Sequence, residues 1–370
     1  MKATFATNIK DVKAADWDAL SGGENPFISH TFLAALEASG SLGADKGWQP
    51  RHLLIHDENG QLTSACPLYL KGHSMGEYVF DQGWANAFNE AGGNYYPKLL
   101  SAIPFTPVSA PKLLGKKEPL AAAIKAEVEA KKLSSAHVLF INSKEKRLFE
   151  AEGFLIRKDQ QFHWNNRGFK TFGDFLETLN SQKRKTIRRE RKLVRKDGLE
   201  IKWIVGKEIT EGDWDFFFRC YNETCLKRWG QPYLTREFFS LIGQSMPENI
   251  RLCVASQGGK NFAAALHLVG GNRLYGRYWG TLALKNFLHF ELCYYQAIEL
   301  AIAEGLEVIE AGAQGAHKLF RGYEPVTTTS AHWISHPGFR EAVENFLTQE
   351  RKMVKEENLR LKEIVPFKKA

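Results

Sequence analysis

The sequence predicts an α/β protein built from two similar units, and three observations indicate this class. Blocks of similar sequence recur in the same order in both halves of the chain. Within each half, β-rich runs joined by glycine-containing turns alternate with helical patterns. The composition, 44% hydrophobic and 25% charged, is that of a globular chain, and 370 residues are enough for two domains.

Four pairs of blocks carry the internal similarity. In chain order, the matching pairs are 16–18 with 213–215, 25–36 with 231–242, 51–72 with 250–271, and 147–154 with 317–323. The third pair predicts two β-hairpins, with turns at Gly60 and Gly259. In the last pair, Gly153 and Gly322 each precede a His-Trp dipeptide by ten residues. An ordered set of matches favours a duplicated unit over chance.

Each unit is predicted to run helix, helix, antiparallel strands, helix, strand, short helix and final strand. The predicted domains are 1–166 and 209–336, which we expect to form a pseudo-dimer. A basic helical linker at 167–208 lies between them, and 337–370 forms a C-terminal segment. That segment is predicted to be helical over 338–362, with Phe339 and Val343 on its apolar side.

The linker contains a dense run of positive charge. Residues 183–196 include nine Lys and Arg side chains and one carboxylate, Glu190. A helix is predicted from a cap at Ser181 to a stop at Gly198, with Arg184 and Arg188 on one face. Charge of this density favours an anionic partner, in keeping with the net charge of +8. Arg184 and Arg188 are therefore candidate substrate-binding residues, although a solvated helix face is the alternative.

The stretch EAGAQGAHKLFRGYEP contains the strongest candidates for chemistry. It places Glu310, Gln314, His317, Lys318 and Arg321 within 12 residues, and its glycines predict a loop after a strand. Such loops are where α/β folds bind ligands. His317 is suited to accept a proton, and the Lys and Arg are suited to stabilise negative charge, so all three are candidate catalytic residues. The Glu and Gln are candidate substrate contacts; a solvated polar turn is the alternative.

A second candidate segment precedes this loop. Arg277, Tyr278 and Trp279 are predicted on a strand, and Glu291 and Tyr295 on the helix that follows it. A carboxylate inside an otherwise apolar helix needs a partner or a function, so Glu291 is a candidate catalytic residue. The other four are candidate substrate contacts, although aromatic side chains at such places more often pack in a core.

Several function classes are excluded or disfavoured. Residues 72–76, GHSMG, match a hydrolase nucleophile elbow, but the elbow needs a helix next and residues 77–84 predict a strand. The histidines show no metal-ligand spacing. Five cysteines without a C-x-x-C pair predict a reducing, cytoplasmic location. The sequence shows neither a signal peptide nor an apolar run of about 18 residues, so we expect no membrane span.

The order of elements resembles the GNAT acyltransferase fold, and two such units in one chain resemble the Fem-type ligases. The chain is more closely similar to the bacterial peptidoglycan biosynthesis/recognition family of predicted N-acyltransferases. The strings that carry this resemblance are YYPKLLSAIPFTPVSAPKLL, SQKRKTIRRERK, PYLTREFF, RYWG, LHFELCYYQAIE and GAQGAHKLFRGYEPVTTTSAHW. Ala316 stands where the family leads us to expect an acidic residue, and Phe320-Arg321 is the nearest match to a functional Phe-Lys pair of the ligases.

This resemblance implies tandem GNAT-like domains and an N-acyltransferase with no bound cofactor. An acyl or aminoacyl group would pass from acyl-CoA or aminoacyl-tRNA to an amine, on a small molecule or a cell-wall precursor. GNAT folds split two strands near 277–279, which implies a slot for the acyl donor. The glycine-rich phosphate loop of GNAT enzymes has no match at 104–114 or 282–291, so the donor class stays open. The alternative function is a non-catalytic recognition module; sequence-specific DNA binding is not expected.

Overall fold

The structure is a computed structural model that describes residues 2–196, 198–228, 230–313 and 315–368. Gln314 therefore lies outside the described residues. Within them, the strands in chain order are β1 Lys2–Ala6, β2 Trp48–Pro50, β3 His52–His56, β4 Leu62–Cys66, β5 Tyr69–Lys71, β6 Lys98–Ser101, β7 Leu114–Gly115, β8 Ser135–Val138, β9 Leu155–Asn165, β10 Leu199–Val205, β11 Ile250–Gln257, β12 Lys260–Gly270, β13 Arg273–Thr281, β14 Val308–Glu310 and β15 Glu324–Ile334.

Helices are interleaved with these strands. The α-helices are α1 Ala14–Ser21, α2 His30–Ala38, α3 Gln82–Glu90, α4 Glu118–Ala130, α5 Ser143–Ala151, α6 Phe172–Thr178, α7 Ser181–Val194, α8 Glu211–Arg228, α9 Arg236–Ser245, α10 Leu288–Phe290, α11 Gln296–Ala303 and α12 Pro337–Glu363. A π-helical segment, Glu291–Tyr295, joins α10 to α11. The 3-10 turns are Ile9–Asp11, Pro26–Ile28, Gly206–Glu208, Pro247–Asn249 and Ala316–Arg321. No helix in this part of the chain is long and apolar enough to cross a membrane.

The chain divides into two compact units, each made of two chain segments. Unit 1 comprises Met1–Asp159 and Thr327–Glu356, and unit 2 comprises Gln160–Val326 and Glu357–Ala370. Residues 167–208, expected as a linker, lie within unit 2. The C-terminal helix is present as α12, within one residue of its predicted start and end.

Unit 1 contains two sheets. One has the order β1-β3-β4-β7, and the other runs β8-β6-β5-β2, with residues 331–334 of β15 pairing with β8. Leu120, Ile124 and Val128 lie on one side of helix α4 and pack against the strands in an apolar core, where all three are fully buried. The strand expected over residues 77–84 is wrong: α3 begins at Gln82 and places Trp84 in a separate apolar cluster of this unit.

Unit 2 is built on one sheet with the order β10-β11-β12-β13-β14-β9. The pairing is antiparallel except between β13 and β14, which run parallel. Helix α8 packs so closely on β13 that a Cβ atom at Gly280 would lie 1.9 Å from the carbonyl oxygen of Cys220. Glycine is therefore required at position 280 for this helix to cover the strand.

Helix α7 is an integral part of unit 2. Its Ile187 packs in the core beneath β14, and its Val194 packs beneath β11 and β12. The predicted cap is wrong by one residue: the side chain of Asn180, not Ser181, accepts a hydrogen bond from the backbone N–H of Lys183 at 3.0 Å. Asn and Ser are both favourable N-cap residues. Asn180 comes first along the chain and its side chain reaches a free N–H group of the first turn, so the helix begins after it.

The repeated sequence blocks take similar local structures. The predicted hairpins form as β3–β4 and β11–β12. Gly153 and Gly322 both have a φ of 82°, and each leads into an 11-residue strand that contains His-Trp, β9 and β15 respectively. An origin of the two halves by duplication remains a prediction that this agreement supports.

Candidate functional site

A β-bulge in unit 2 places Arg277 out of register. Leu266 of β12 lies opposite Tyr278 of β13, whereas the next residue, His267, lies opposite Gly276. Arg277 is therefore the extra residue on β13. Bulges re-aim a side chain and are frequent beside active sites.

The pairing between β13 and β14 ends close to this bulge. The two strands pair from Arg273 with Val308 to Tyr275 with Glu310. Beyond that point β13 continues to Thr281, while the chain after Glu310 leaves the sheet as a loop. An extended ligand can lie along a strand edge of this kind and use its backbone groups.

A cleft of about 110 Å³ lies where the bulge and the strand end meet. It is lined by residues of β12 and β13, of the following helix, and of the loop after β14: Ala265, Leu266, His267, Gly276, Arg277, Tyr278, Trp279, His289, Cys293, Tyr294 and Ala311. Arg277, Tyr278 and Trp279, predicted as substrate contacts, therefore lie together in its wall.

The helical wall of the cleft contains the π-helical segment. One extra residue per turn shifts the phase of a helix, and such segments are frequent at functional sites. His289, Cys293 and Tyr294 line the cleft. Glu291 and Tyr295, the residues predicted from a regular helix, instead contact α7.

His317 and Tyr294 connect the cleft to the surface. His317 is exposed and belongs to the 3-10 turn Ala316–Arg321. Its Nε2 atom lies 2.8 Å from the hydroxyl oxygen of Tyr294, which is 3% exposed and forms part of the cleft wall. The two side chains form a hydrogen-bonded pair that joins a buried hydroxyl to an exposed imidazole.

Lys318 is the buried cation of the same turn. It is 2% exposed, and its Nζ atom donates a hydrogen bond to the carbonyl oxygen of Gly312 at 3.0 Å. Burial lowers the pKa of its amine from 10.5 to about 7; Cys293 opposes the shift and Arg277 adds to it. The amine is thus half neutral near pH 7, and the two residues that perturb it line the cleft.

Arg321 holds the turn against helix α7. Its Nη2 atom donates to both carboxylate oxygens of Glu190 at 3.1 Å, and its Nη1 atom donates to the carbonyl oxygen of His317 at 2.9 Å. The guanidinium group lies 3.3 Å from the centre of the Phe290 ring. Glu190 also accepts a hydrogen bond from the hydroxyl of Tyr295. These contacts use the charge of Arg321 to position the turn.

Glu291, on the π-helical segment, has its main partner on helix α7. Its side chain is fully buried and accepts hydrogen bonds from Arg191, the shortest at 2.9 Å. Arg191 also donates to Glu299 at 2.7 Å, and Gln296 donates to Glu291 at 2.9 Å. The carboxylate that the sequence singled out therefore fixes α7 to the π-helical segment.

The sequence of the whole chain identifies its family. A model of the FemAB-like family, described as peptidoglycan biosynthesis/recognition, matches residues 8–369. The chain belongs to this family. No curated protein matches the sequence.

Solved structures share the fold at low sequence identity. FemX is 10% identical, with a TM-score of 0.54, over 93% of this chain and 100% of its own. The C-terminal domain of a putative lysylphosphatidylglycerol synthetase from Agrobacterium fabrum is 10% identical, with a TM-score of 0.52, over 89% and 94%. L-PGS from Bacillus licheniformis is 10% identical, with a TM-score of 0.51, over 88% and 98%. The predicted tandem GNAT-like α/β fold with a C-terminal helix is confirmed.

The remaining predicted site residues lie away from the cleft lining. Glu310 is buried at the end of β14 and pairs with Arg273 at 2.9 Å. Arg184 and Arg188 pair with Glu177 on the surface, at 3.0 and 3.4 Å. Each of these three residues therefore forms an ion pair within the protein. Their predicted contacts with a ligand stay predictions.

Sequence reasoning missed other cleft residues. His267, His289 and Cys293 line the cleft, and Tyr294 bonds to His317. The only signal available was the closeness of His289 and Tyr294 to predicted residues along the chain. The bulge and the π-helical turn set which side chains face the cleft, and neither has a sequence pattern of its own. Among the described residues, no group of His, Cys, Asp and Glu side chains is placed to hold a metal ion.

Proposed function

We propose that this protein transfers an acyl or aminoacyl group from an activated donor to an amine, and that the cleft of unit 2 is its active site. The observation that carries the proposal is Lys318, a buried amine with a pKa of about 7 beside a cleft at the end of the β13–β14 pairing. Membership of the FemAB-like family supports the reaction class. The same membership makes an amine of a cell-wall precursor the first acceptor to test.

Lys318 is proposed as the general base. An amine acceptor is an ammonium ion at neutral pH and must lose a proton before it can attack a carbonyl carbon. A lysine whose pKa lies near the working pH accepts that proton, whereas an ordinary lysine is already protonated. Burial supplies this property to Lys318.

Tyr294 and His317 are proposed to stabilise the oxyanion that forms in the transfer. If His317 donates its Nε2 proton to the Tyr294 oxygen, that oxygen is the acceptor of the pair, and the hydroxyl proton of Tyr294 is proposed to be donated to a ligand in the cleft. A hydroxyl polarised in this way stabilises charge that develops on the carbonyl oxygen of the donor. His317, predicted as the proton acceptor, then acts through Tyr294 as a positioning residue.

The donor is proposed to lie along the exposed end of β13. Backbone groups after Tyr275 are suited to hold an extended acyl arm, and Arg277 is suited to an anionic group of the donor. Both acyl-CoA and aminoacyl-tRNA present an acyl group on an anionic carrier. The cleft does not discriminate between them, so the assay must.

A donor panel tests the proposal. The purified protein is mixed with acyl-CoA thioesters or charged tRNAs and a set of amines, and release of free thiol or deacylated tRNA is followed. We expect acceptor-dependent release that Lys318→Met and Tyr294→Phe abolish or reduce, whereas Lys355→Met, at an exposed lysine of α12, retains it. Binding of a donor or acceptor without turnover by the native protein overturns the proposal and favours a recognition module.

A further inference from the structure

The outward face of α7 presents a stripe of cations. Ile187, Glu190 and Val194 are buried on the opposite side of the helix. Lys185, Arg189 and Lys192, spaced by four and three residues, are exposed on this helix, and the exposed Lys196 follows in the turn after its last residue, Val194. Residues at this spacing share one face of a helix. Glu190, the single carboxylate between 183 and 196, is on the buried side, so it does not neutralise the stripe.

Exposed leucines lie beside this stripe. Leu193 on α7 is 45% exposed, and Leu282 and Leu284, in the loop after β13, are 42% and 97% exposed. The Nζ atom of Lys285 lies 3.5 Å from the carbonyl oxygen of Lys196, which places this loop at the end of α7. Leucines this exposed, on a helix and on a loop that reaches the end of that helix, mark an interaction surface.

The loop that presents Leu284 is held in place by the sheet. The backbone N–H of Leu282 donates to the carbonyl oxygen of Phe262 at 2.8 Å. The hydroxyl of Thr281 donates to the carbonyl oxygen of Ala283 at 2.6 Å. Leu284 is thus displayed on a fixed turn. An ordered apolar tip beside a cationic helix is the arrangement by which peripheral proteins enter the interface of an anionic bilayer.

We propose that the cationic stripe of α7 and the leucine loop 282–287 form a docking surface for an anionic lipid bilayer. The lysines and the arginine lie against lipid phosphates, and Leu284, together with the exposed Leu193 and Leu282, enters the boundary between headgroups and acyl chains. Nucleic acid would satisfy the cations and leave the leucines in water, so the leucines favour the bilayer. This proposal is independent of the reaction in the cleft.

Vesicle sedimentation tests the surface. Vesicles of phosphatidylcholine alone are compared with vesicles containing about 30% phosphatidylglycerol, at about 50 and 300 mM salt. We expect binding to the anionic vesicles that weakens with salt, and none to the neutral ones. Leu284→Ser should weaken binding about tenfold. The pair Lys185→Ala and Lys192→Ala should weaken it about 25-fold, at about fivefold for each cation.

The control is Leu359→Ser, which removes a leucine of α12 that is 55% exposed. It should leave vesicle binding unchanged, and circular dichroism should show each variant folded. Absence of binding to anionic vesicles overturns the proposal. So does vesicle binding that Leu284→Ser leaves intact, or binding of uncharged tRNA that the cation pair weakens while vesicle binding is unaltered. None of these readouts depends on transfer activity.

Discussion

Lys318 shows how folding alone changes the chemistry of a side chain. Burial lowers the pKa of its amine from 10.5 to about 7, against an opposing effect of Cys293 and with a further lowering by Arg277. If the neutral amine is the base, kcat/KM should rise with pH through about 7 and level off near about pH 8. Lys318→Arg keeps the charge and cannot become neutral, so it should be as inactive as Lys318→Met. A flat profile, or an active arginine variant, would rule out the base.

The same residue has an effect on stability that does not depend on activity. Because its folded-state pKa lies below the unfolded value, the unfolded chain binds one more proton between about pH 7 and 10. The free energy of unfolding therefore rises with pH over that window. Lys318 contributes to this slope up to the amount that corresponds to one proton. Lys318→Met should remove this slope in urea titrations at several pH values.

At the scale of elements, buried ion pairs fasten α7 to the π-helical segment. Glu291 is fully buried and Arg191 is 11% exposed, so removal of one partner leaves the other charge buried and unpaired. We expect Glu291→Ala to lower the free energy of unfolding by about 3–5 kcal/mol. Arg191→Met combined with Glu291→Leu should recover much of that loss, measured by urea unfolding.

A matched control is the exposed ion pair between Arg184 of α7 and Glu177 of α6. Arg184 pairs with Glu177 at 3.0 Å, but Glu177 is 60% exposed. Glu177→Ala should change the free energy of unfolding by less than about 0.5 kcal/mol, because water screens exposed pairs. Equal costs for Glu177 and Glu291 would show that the buried clamp does not hold α7.

The contact between α8 and β13 depends on one missing side chain. A Cβ atom at Gly280 would lie 1.9 Å from the backbone of Cys220, and backbone at that position has little room to move. Gly280→Ala should therefore cost about 3 kcal/mol or more. Gly83→Ala on α3 meets no atom within 4 Å and should stabilise by about 0.5–1 kcal/mol through helix propensity. Thermal unfolding of both variants decides this, and similar melting temperatures would contradict the packing argument.

For the whole molecule, local patterns predicted the elements, and tertiary contacts decided the site. The terminal helix α12 and the two hairpins follow from apolar periodicity and turn glycines, so the sequence was sufficient for them. The exposure of His317 and the burial of Lys318 differ although the residues are adjacent, because the turn faces them in opposite directions. The contact of Glu291 with Arg191 spans 100 residues, and no spacing rule indicates it.

Both units also bury histidines, and burial disfavours the protonated form of their imidazoles. In unit 1, Nδ1 of His137 lies 2.7 Å from Nδ1 of His332; burial lowers the pKa of His137 to about 3 and holds that of His332 well below 6.5. In unit 2, burial lowers the pKa of His163 to about 3 and that of His267 to about 4. Burial raises the pKa of Glu77 to about 7, which acts in the opposite direction.

These pKa shifts predict that the folded protein becomes less stable when the pH falls from 7 to 5. Below about pH 6.5 the unfolded chain protonates its histidines and the folded chain does not, so each costs about 2 kcal/mol of stability by about pH 5. Glu77 offsets the loss from about one of these four histidines, because its carboxylate takes up a proton in the folded protein over the same pH range. Urea unfolding at pH 7 and 5 should show a loss of several kcal/mol, and His267→Leu should reduce the slope by about one proton. Equal stability at the two pH values would mean that the imidazoles are protonated inside the folded units, and the burial that governs Lys318 would then be in doubt as well.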